Sequence, residues 1–444
     1  MHRITLCIAF LLGQNDAPIT NAFTTTYRST VKKPRRGTCR LDYYPHSRQI
    51  PKLRHLSMAL EDDLLTRSEA ILRAASLPLG FAAAFRTGAA LAVIGQPRLP
   101  DHLPSNSVSA VGSRVIRLPT SGARVRLFYP AAQQRQASTN WEYAPYCTDG
   151  RTTSDGMAGL VGFRQLGLSF LLAHLANASS GCYKDVPPLR SNDVTGIENG
   201  MPLLVYSHGY GGNMDMATYF LRAIAYTGLV VAAVEHTDGT ASSTQLRDGT
   251  TLPFSPGLKT GKEQLSCRAN ELLEAANISN LPSDFAIDPS KVFLGGHSYG
   301  GPSALLAANR ANKPDASKRH IAGIILHDPA LSMGYGMLED GDGSTSNKNI
   351  PIISYTSDEY NRAGVKYGDS TIHVQGAFHG NFVDAPLWAP SWVMRPLSAL
   401  IPAAGPADPI QVHEELAKSA AAFIDSRQVN SATVMEGRLF EYIG

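Results

Sequence analysis

The residues best suited to chemistry lie in Gly296-His297-Ser298-Tyr299-Gly300, a G-x-S-x-G sequence with a further glycine at Gly301. A short apolar run, Val292-Phe293-Leu294, precedes it and reads as a buried strand. Ala304-Leu305-Leu306-Ala307-Ala308, with strong helix preference, follows. Glycines two residues either side of a serine suit a very sharp strand-to-helix turn, because side chains there would collide with the neighbouring strand and helix. Such a turn, a nucleophile elbow, lifts the Ser298 hydroxyl above the sheet edge and points the first N–H groups of the helix at whatever the serine attacks. The five-residue pattern alone recurs by chance in long chains; the strand before it and the helix after it are what give it weight.

A serine hydroxyl is a weak nucleophile at neutral pH and needs a base that a third group orients. On this scaffold the partners are expected after the serine, acid first and histidine last. Of the histidines beyond residue 325, His373 falls within a strand pattern and His327 at the end of one. His379 lies in the loop Gly376-Ala377-Phe378-His379-Gly380-Asn381-Phe382 near the end of the domain, and is the candidate base. Two acids stay open on spacing: Asp328, directly after the strand Ile321 to Leu326, and Asp358, after the next strand. An oxyanion hole needs two backbone N–H groups. Tyr299, next to the nucleophile, is one candidate donor. Tyr210, in the glycine-rich His208-Gly209-Tyr210-Gly211-Gly212 loop after the strand Leu203 to Tyr206, is the other; His208 is expected to brace that loop.

The elements that must position these residues alternate. An opening hairpin is expected from Val108 to Leu118 and Ala123 to Tyr129. An irregular region from about 135 to 200 holds one apolar helical stretch, Met157 to Ala176, for which packing on the core and a lid or lipid-facing role are the two readings. Then come strand 203–206, helix 214–227, strand 229–234, helix 263–276, the elbow, strands 321–326, 350–355 and 370–374, and a closing helix, 413–424. Strands alternating with helices imply a mostly parallel sheet covered on both faces, an α/β class of fold. The domain is expected over 107–428, with a tail at 429–444 and a linker or helical extension at 61–106. The apolar segment 76–95 could serve as a second transfer signal or lie against the domain.

The 444-residue chain is 43% hydrophobic and 17% charged, which suits one large globular domain with extensions. No 18-residue stretch is continuously apolar, so no spanning helix is expected. Net charge is +3, yet residues 1–60 carry ten Lys and Arg against two acids, so the body is mildly acidic and nucleic-acid binding is not expected. Residues 1–60 read as a targeting presequence: Arg3 and the apolar run Ile4 to Leu12 have the order of a secretory signal, and Thr24 to Arg54 is basic and nearly free of acids. Entry to the secretory pathway is therefore expected. Asn21-Ala22-Phe23 resembles the cleavage site of bipartite plastid presequences, and a plastid or secreted destination stays open. Five cysteines are too few for a disulfide scaffold; Cys147 and Cys182 bracket the irregular region and could pair in an oxidising compartment. No spacing suggests a metal site, and neither metal nor cofactor is expected.

Five blocks then point to one family. Pro202 to Gly212, Val230 to Ser242, Gly295 to Gly301, Ile324 to Ala330 and Gly376 to Asp384 occur in the same order and with similar gaps as in the platelet-activating-factor acetylhydrolases, the plasma and type II intracellular phospholipases. The chain resembles this family from about Ser109 to Ile424. The resemblance implies an α/β-hydrolase fold with Ser298 as nucleophile, Asp328 as acid, His379 as base, and Tyr210 and Tyr299 as oxyanion donors. It also implies calcium-independent cleavage of acetyl or short, oxidised acyl chains from the sn-2 position of phospholipids, at a membrane or lipid surface. General carboxylesterase or polyester-type chemistry, and lipid binding without chemistry, are the alternatives. The sequence departs from the family at Pro329-Ala330, where an aromatic residue usually follows the acid, at Tyr299, often phenylalanine, and in 385–405, whose Trp388, Trp392 and Met394 read as a buried cluster or an interfacial patch. Acyl length, headgroup and oligomeric state stay open.

Overall fold

Apolar strand positions here alternate between two hydrophobic cores rather than between core and water. On β5 (Met201–Ser207) Leu203 and Val205 enter one core while Leu204 and Tyr206 enter the other; β6 (Val230–Glu235) repeats the pattern with Val230, Ala232 and Val234 against Val231 and Ala233. That is why the central strands read as unbroken apolar runs. The structure, a computed structural model, describes residues 108–443 except 109, 133–140, 190–199, 256–257, 312–319, 339–349, 365, 369, 390–393, 395–403 and 428–436. The presequence 1–60, the extension 61–106 and the segment 76–95 lie outside the described residues.

The hairpin forms as expected, with β1 (Val111–Arg117) antiparallel to β2 (Arg124–Pro130), and β2 antiparallel to β6. From β6 the sheet runs parallel through β5, β9 (Ile287–His297), β10 (Gly323–His327), β11 (Ile352–Thr356) and β12 (Ser370–Val374). Four helices cover it. Leu265, Ala269 and Leu272 of α3 (Lys262–Ala275), with Ala304, Leu305 and Ala308 of α4 (Gly300–Ala311), fill the first core. Phe220 and Ile224 of α2 (Thr218–Tyr226), with Val412, Leu416 and Phe423 of α6 (Pro409–Ser426), fill the second.

Three expectations about elements need correction. The apolar stretch Met157 to Ala176 is not one helix: α1 (Arg151–Leu160) ends early, a turn-rich segment with Gly162 and Gly167 at positive φ follows, and a 3-10 helix spans Ser169–Asn177. Glycines in left-handed backbone stop an α-helix whatever the apolarity around them. The region read as irregular also holds β3 (Tyr143–Pro145) and β4 (Ser179–Lys184), which extend the sheet beyond β1. Part of the segment read as a tail is a strand: β13 (Phe440–Tyr442) pairs antiparallel with β12 and gives the order β13-β12-β11-β10-β9-β5-β6-β2-β1-β4-β3 among the described residues. Three-residue strands carry too little pattern to be read without their neighbours. A further small hairpin, β7 (Ser243–Gln245) with β8 (Thr251–Pro253), sits in the polar loop before α3. α5 (Asp358–Arg362), capped by Ser357, follows β11.

The added segment 141–189 is pinned by two arginines that alternate with apolar residues on β2. Arg126, 1% exposed, donates to Asp215 (2.6 Å), to the carbonyls of Tyr146 and Pro145 (both 2.7 Å) and to Ser113 (3.0 Å). Arg124 bridges Glu235 and Asp149. Burial raises the Glu235 carboxyl to about 7 despite the Arg124 charge beside it. A third cluster, with Tyr146, Met157, Leu175, Met216 and Trp388, seals the segment against the body. Cys147 and Cys182 are both free and buried within it. Trp388 and Met394 are buried, and Trp388 donates to the Tyr146 hydroxyl, so the described part of 385–405 is a packed cluster; Trp392 lies outside the described residues. Among the described residues no helix is long and apolar enough to cross a membrane.

Removing one member of a buried pair leaves the other charge unpaired. Asp215→Ala is therefore expected to destabilise the fold by about 3–5 kcal/mol, read as a lowered denaturant midpoint. A loss under about 1 kcal/mol would show that Arg126 is not held by that carboxylate.

Candidate active site

Close backbone approach builds the turn around Ser298. A Cβ on Gly296 would stand 2.3 Å from the Gly300 carbonyl, and one on Gly300 would stand 2.1 Å from the Ser207 carbonyl of β5. Neither position can hold a side chain, so the turn can be as tight as it is. It forces Ser298 to φ 54, a left-handed conformation that a non-glycine residue adopts only when its surroundings insist. Two hydrogen bonds insist: the Ser298 N–H donates to the His327 carbonyl (2.9 Å), and its own carbonyl accepts from Ala330 (3.0 Å). Pro329, one of the departures noted above, packs against Gly301. Ser298 is part-exposed while His297 and Tyr299 on either side are buried.

Asp328 begins where β10 ends, one step beyond the His297–His327 register pair, so it leaves the sheet beside the elbow. It too has positive φ, at 42. Its side chain is fully buried and points at His379: His379 Nδ1 donates to Asp328 Oδ2 at 3.0 Å, while Asp328 Oδ1 accepts the Ser357 N–H at 2.7 Å. A proton held on Nδ1 leaves Nε2 as the basic nitrogen. Asp358, equal to Asp328 on spacing, is committed elsewhere. It accepts from His373 (2.8 Å) and from the Gly376 N–H (3.0 Å), and His373 also reaches Glu441 of β13 (2.9 Å). His327 is a core residue, bonded to the Tyr206 hydroxyl and pushed down to about 3 by burial. Of His327, His373 and His379, only His379 meets Asp328.

Two rings pack on the imidazole of His379. Tyr360 stacks parallel to it at 5.1 Å and 5°, and His297 lies against it at 4.4 Å and 36°. His297 also donates from Nε2 to the His379 carbonyl (3.2 Å), and Glu359 accepts the His379 N–H (2.8 Å). Burial, with His379 nearby, holds His297 well below the usual imidazole range, so it does not compete for the proton. Burial raises Glu359.

The glycine-rich loop passes against Ser298. A Cβ on Gly209 would lie 3.0 Å from the Ser298 Cβ, so the peptide leading into Tyr210 runs against the serine. The Tyr210 hydroxyl donates to the Ser255 and Leu258 carbonyls (3.3 Å each). Tyr299 stands at the start of α4, where the first N–H groups have no intrahelical partner. His208 is buried and braces the loop, donating from Nδ1 to the Gly209 carbonyl (2.7 Å) and accepting the His236 N–H at Nε2 (3.3 Å). Burial and the Arg268 charge keep it neutral.

The sequence reading passed over Glu359, Tyr360, His297 and Arg268. Only Arg268 left a signal: it lies at helical spacing with Leu265, Ala269 and Leu272, on the face of α3 that enters the core. Among the described residues no cluster of His, Cys, Asp and Glu could hold a metal ion.

The two acids separate under mutation. Asp328→Asn is expected to slow phosphonylation of Ser298 by a fluorophosphonate about 10⁴-fold, because the wrong histidine tautomer would face the serine. Asp358→Asn should leave labelling within a few-fold and instead loosen the β12–β13 edge, read by hydrogen exchange.

Comparison with known proteins bears on the fold and on the first part of the domain. The family model for platelet-activating factor acetylhydrolase, isoform II, matches residues 110–252, from the opening hairpin through the loop of Tyr210 to β8. The platelet-activating factor acetylhydrolase of Bos taurus is 26% identical over 249 residues, 49% of this chain and 53% of that protein. The Gallus gallus protein of the same name is 23% identical over 314 residues, 59% of this chain and 69% of that one. The match thus spans about half the length of the bovine relative. A ferulic acid esterase from Streptomyces cinnamoneus superposes with a TM-score of 0.55 at 18% identity, covering 79% of this chain and all of that one, which speaks to the fold. The chain has the α/β-hydrolase fold and is similar, over residues 110–252, to the platelet-activating factor acetylhydrolases of isoform II type.

Proposed function

We propose that this protein is a calcium-independent serine ester hydrolase that removes a short acyl group from the sn-2 position of phospholipids. The observation that carries the reading is the Asp328–His379 pair, 3.0 Å apart, beside a part-exposed serine held at positive φ on a strand-to-helix turn. Ser298 Oγ attacks the ester carbonyl as His379 Nε2 takes its proton. The carbonyl oxygen, now negative, is met by the N–H groups of Tyr210 and Tyr299. His379 returns the proton to the leaving lysophospholipid alkoxide. Water, deprotonated by the same nitrogen, then releases the acyl group from Ser298. Asp328 keeps the imidazole in the productive tautomer and stabilises its charged form.

Support for a lipid substrate comes from the sequence blocks shared with the relatives and from the surface beside the loop of Tyr210. Leu160 at the end of α1 lies close enough that a Cβ on Gly211 would meet it at 2.3 Å. Further along the same segment the turn exposes Leu166 (54%) and the 3-10 helix exposes Phe170 (48%). Apolar side chains in water on a segment that reaches the loop of Tyr210 suit a substrate presented in a lipid layer.

Ser298→Ala is expected to abolish turnover, a loss of about 10⁶-fold by analogy with other serine hydrolases, while thermal unfolding stays cooperative. An alanine variant with near wild-type esterase activity sinks the reading. A short-chain sn-2 phosphatidylcholine should be cleaved in the presence of EDTA; hydrolysis of an aryl acetate alone would favour a general carboxylesterase. The paired substitution Leu166→Ser and Phe170→Ser should cut hydrolysis of phosphatidylcholine in vesicles about tenfold, with little change on a dissolved aryl acetate. Equal loss on both substrates would argue against a lipid-facing role for the turn.

A further inference from the structure

One fully buried side chain lies behind both N–H groups assigned above to the oxyanion site. Arg268 of α3 is 0% exposed. Its Nη1 donates to the His208 carbonyl at 2.6 Å, and its Nη2 reaches the Gly209 carbonyl at 3.4 Å and Thr240 Oγ1 at 2.6 Å. Its Nε donates to Asp238 Oδ2 at 3.0 Å, and the guanidinium lies over the Tyr299 ring, 4.6 Å from its centre. We propose that Arg268 is a positioning residue for catalysis, holding the N–H groups of Tyr210 and Tyr299 at a fixed separation and direction while charge develops on the substrate oxygen. This inference rests on the reading of Ser298 as nucleophile.

The carbonyl of Gly209 and the N–H of Tyr210 belong to one peptide plane. A donor fixed on that carbonyl fixes where the N–H points and polarises it, because hydrogen bonds in series strengthen one another at low dielectric. His208 Nδ1 and the Arg268 fork supply such donors. The loop is tied on the far side of Tyr210 as well, since the Gly211 N–H donates to the Thr240 carbonyl at 2.7 Å. Thr240 is itself bound to Asp238, through its N–H at 3.1 Å and its hydroxyl at 2.6 Å. The guanidinium under Tyr299 couples the elbow to the same group by a cation–π contact. Asp238, 6% exposed, balances the buried charge, so the clamp adds no unpaired ion to the core. A lysine could supply the charge but not a planar fork reaching several acceptors.

A core ion pair with no part in the reaction would change stability without discriminating between ground and transition states. Three measurements on the full chain separate the two roles: kcat and KM on an aryl acetate, inhibition by a trifluoromethyl ketone that forms a tetrahedral adduct with an active serine, and thermal unfolding. In Arg268→Met/Asp238→Asn, which removes the pair together, kcat should fall about 100-fold with KM within about threefold, and ketone affinity should fall by the same factor as kcat. Arg268→Lys should lose about tenfold in both. The proposal is overturned if the folded double variant keeps kcat within about threefold, or loses kcat while binding the ketone as wild type does. If the double variant shows no cooperative unfolding, Arg268→Lys decides: wild-type kcat and ketone affinity there overturn the proposal. Wild-type protein that fails to react with a fluorophosphonate would overturn the nucleophile reading and this inference with it. Labelled wild type with unaffected variants overturns the inference alone.

Discussion

The fold depends at its centre on how closely three stretches of backbone approach one another. The end of β9 turns back on the start of α4 so tightly that Gly296 faces the carbonyl of Gly300, and Gly300 faces the carbonyl of Ser207 on the neighbouring strand. No side chain fits at either contact, so the glycines are a steric requirement rather than a flexible joint. Of the three residues between them, Ser298 alone takes a left-handed backbone. Ser298 is held left-handed by a donor bond to β10 and an acceptor bond from the segment after Asp328. Everything else in the site is placed relative to that turn.

The residues around the base show how a single imidazole is fixed without being made inert. Asp328 accepts the hydrogen bond from Nδ1, Tyr360 and His297 pack on the ring, and Glu359 and His297 tie down the backbone of residue 379. Each contact removes a freedom that would misdirect Nε2, and none of them uses Nε2 itself. Ser298 and Asp328 both have positive φ just past the ends of the adjacent parallel strands β9 and β10, as do Asp185, Tyr335 and Arg427 elsewhere. The loop of Tyr210 is fixed differently, by buried polar groups behind it rather than by crowding.

The same economy appears at the other end of the sheet. Arg124 and Arg126 alternate with apolar residues on β2, the pattern of a strand with one wet face. That face is instead roofed by 141–189, and the arginines become its anchors through Asp149, Glu235, Asp215 and two backbone carbonyls. Long polar side chains can satisfy several acceptors at once, which is how a largely irregular segment is held over a sheet. The same roof exposes Leu166 and Phe170, so the stability of the segment and the apolar surface it presents are linked.

Much of this protein was legible in its sequence because the information is local. The period of the central strands, the elbow glycines and the glycine-rich loop each lie within a dozen residues, and the opening hairpin and five of the parallel strands fall where the pattern placed them. What the sequence left undecided depended on contacts between distant segments. Asp328 and Asp358 follow successive strands and look alike in spacing; only the packed sheet shows one carboxylate meeting His379 and the other meeting His373. The break in 157–176, the short strands β3, β4 and β13, and the burial of Arg268 were likewise fixed by neighbours far along the chain. Backbone periodicity is written residue by residue, whereas the choice between two equivalent side chains is made by whichever partner the completed fold brings within hydrogen-bond reach.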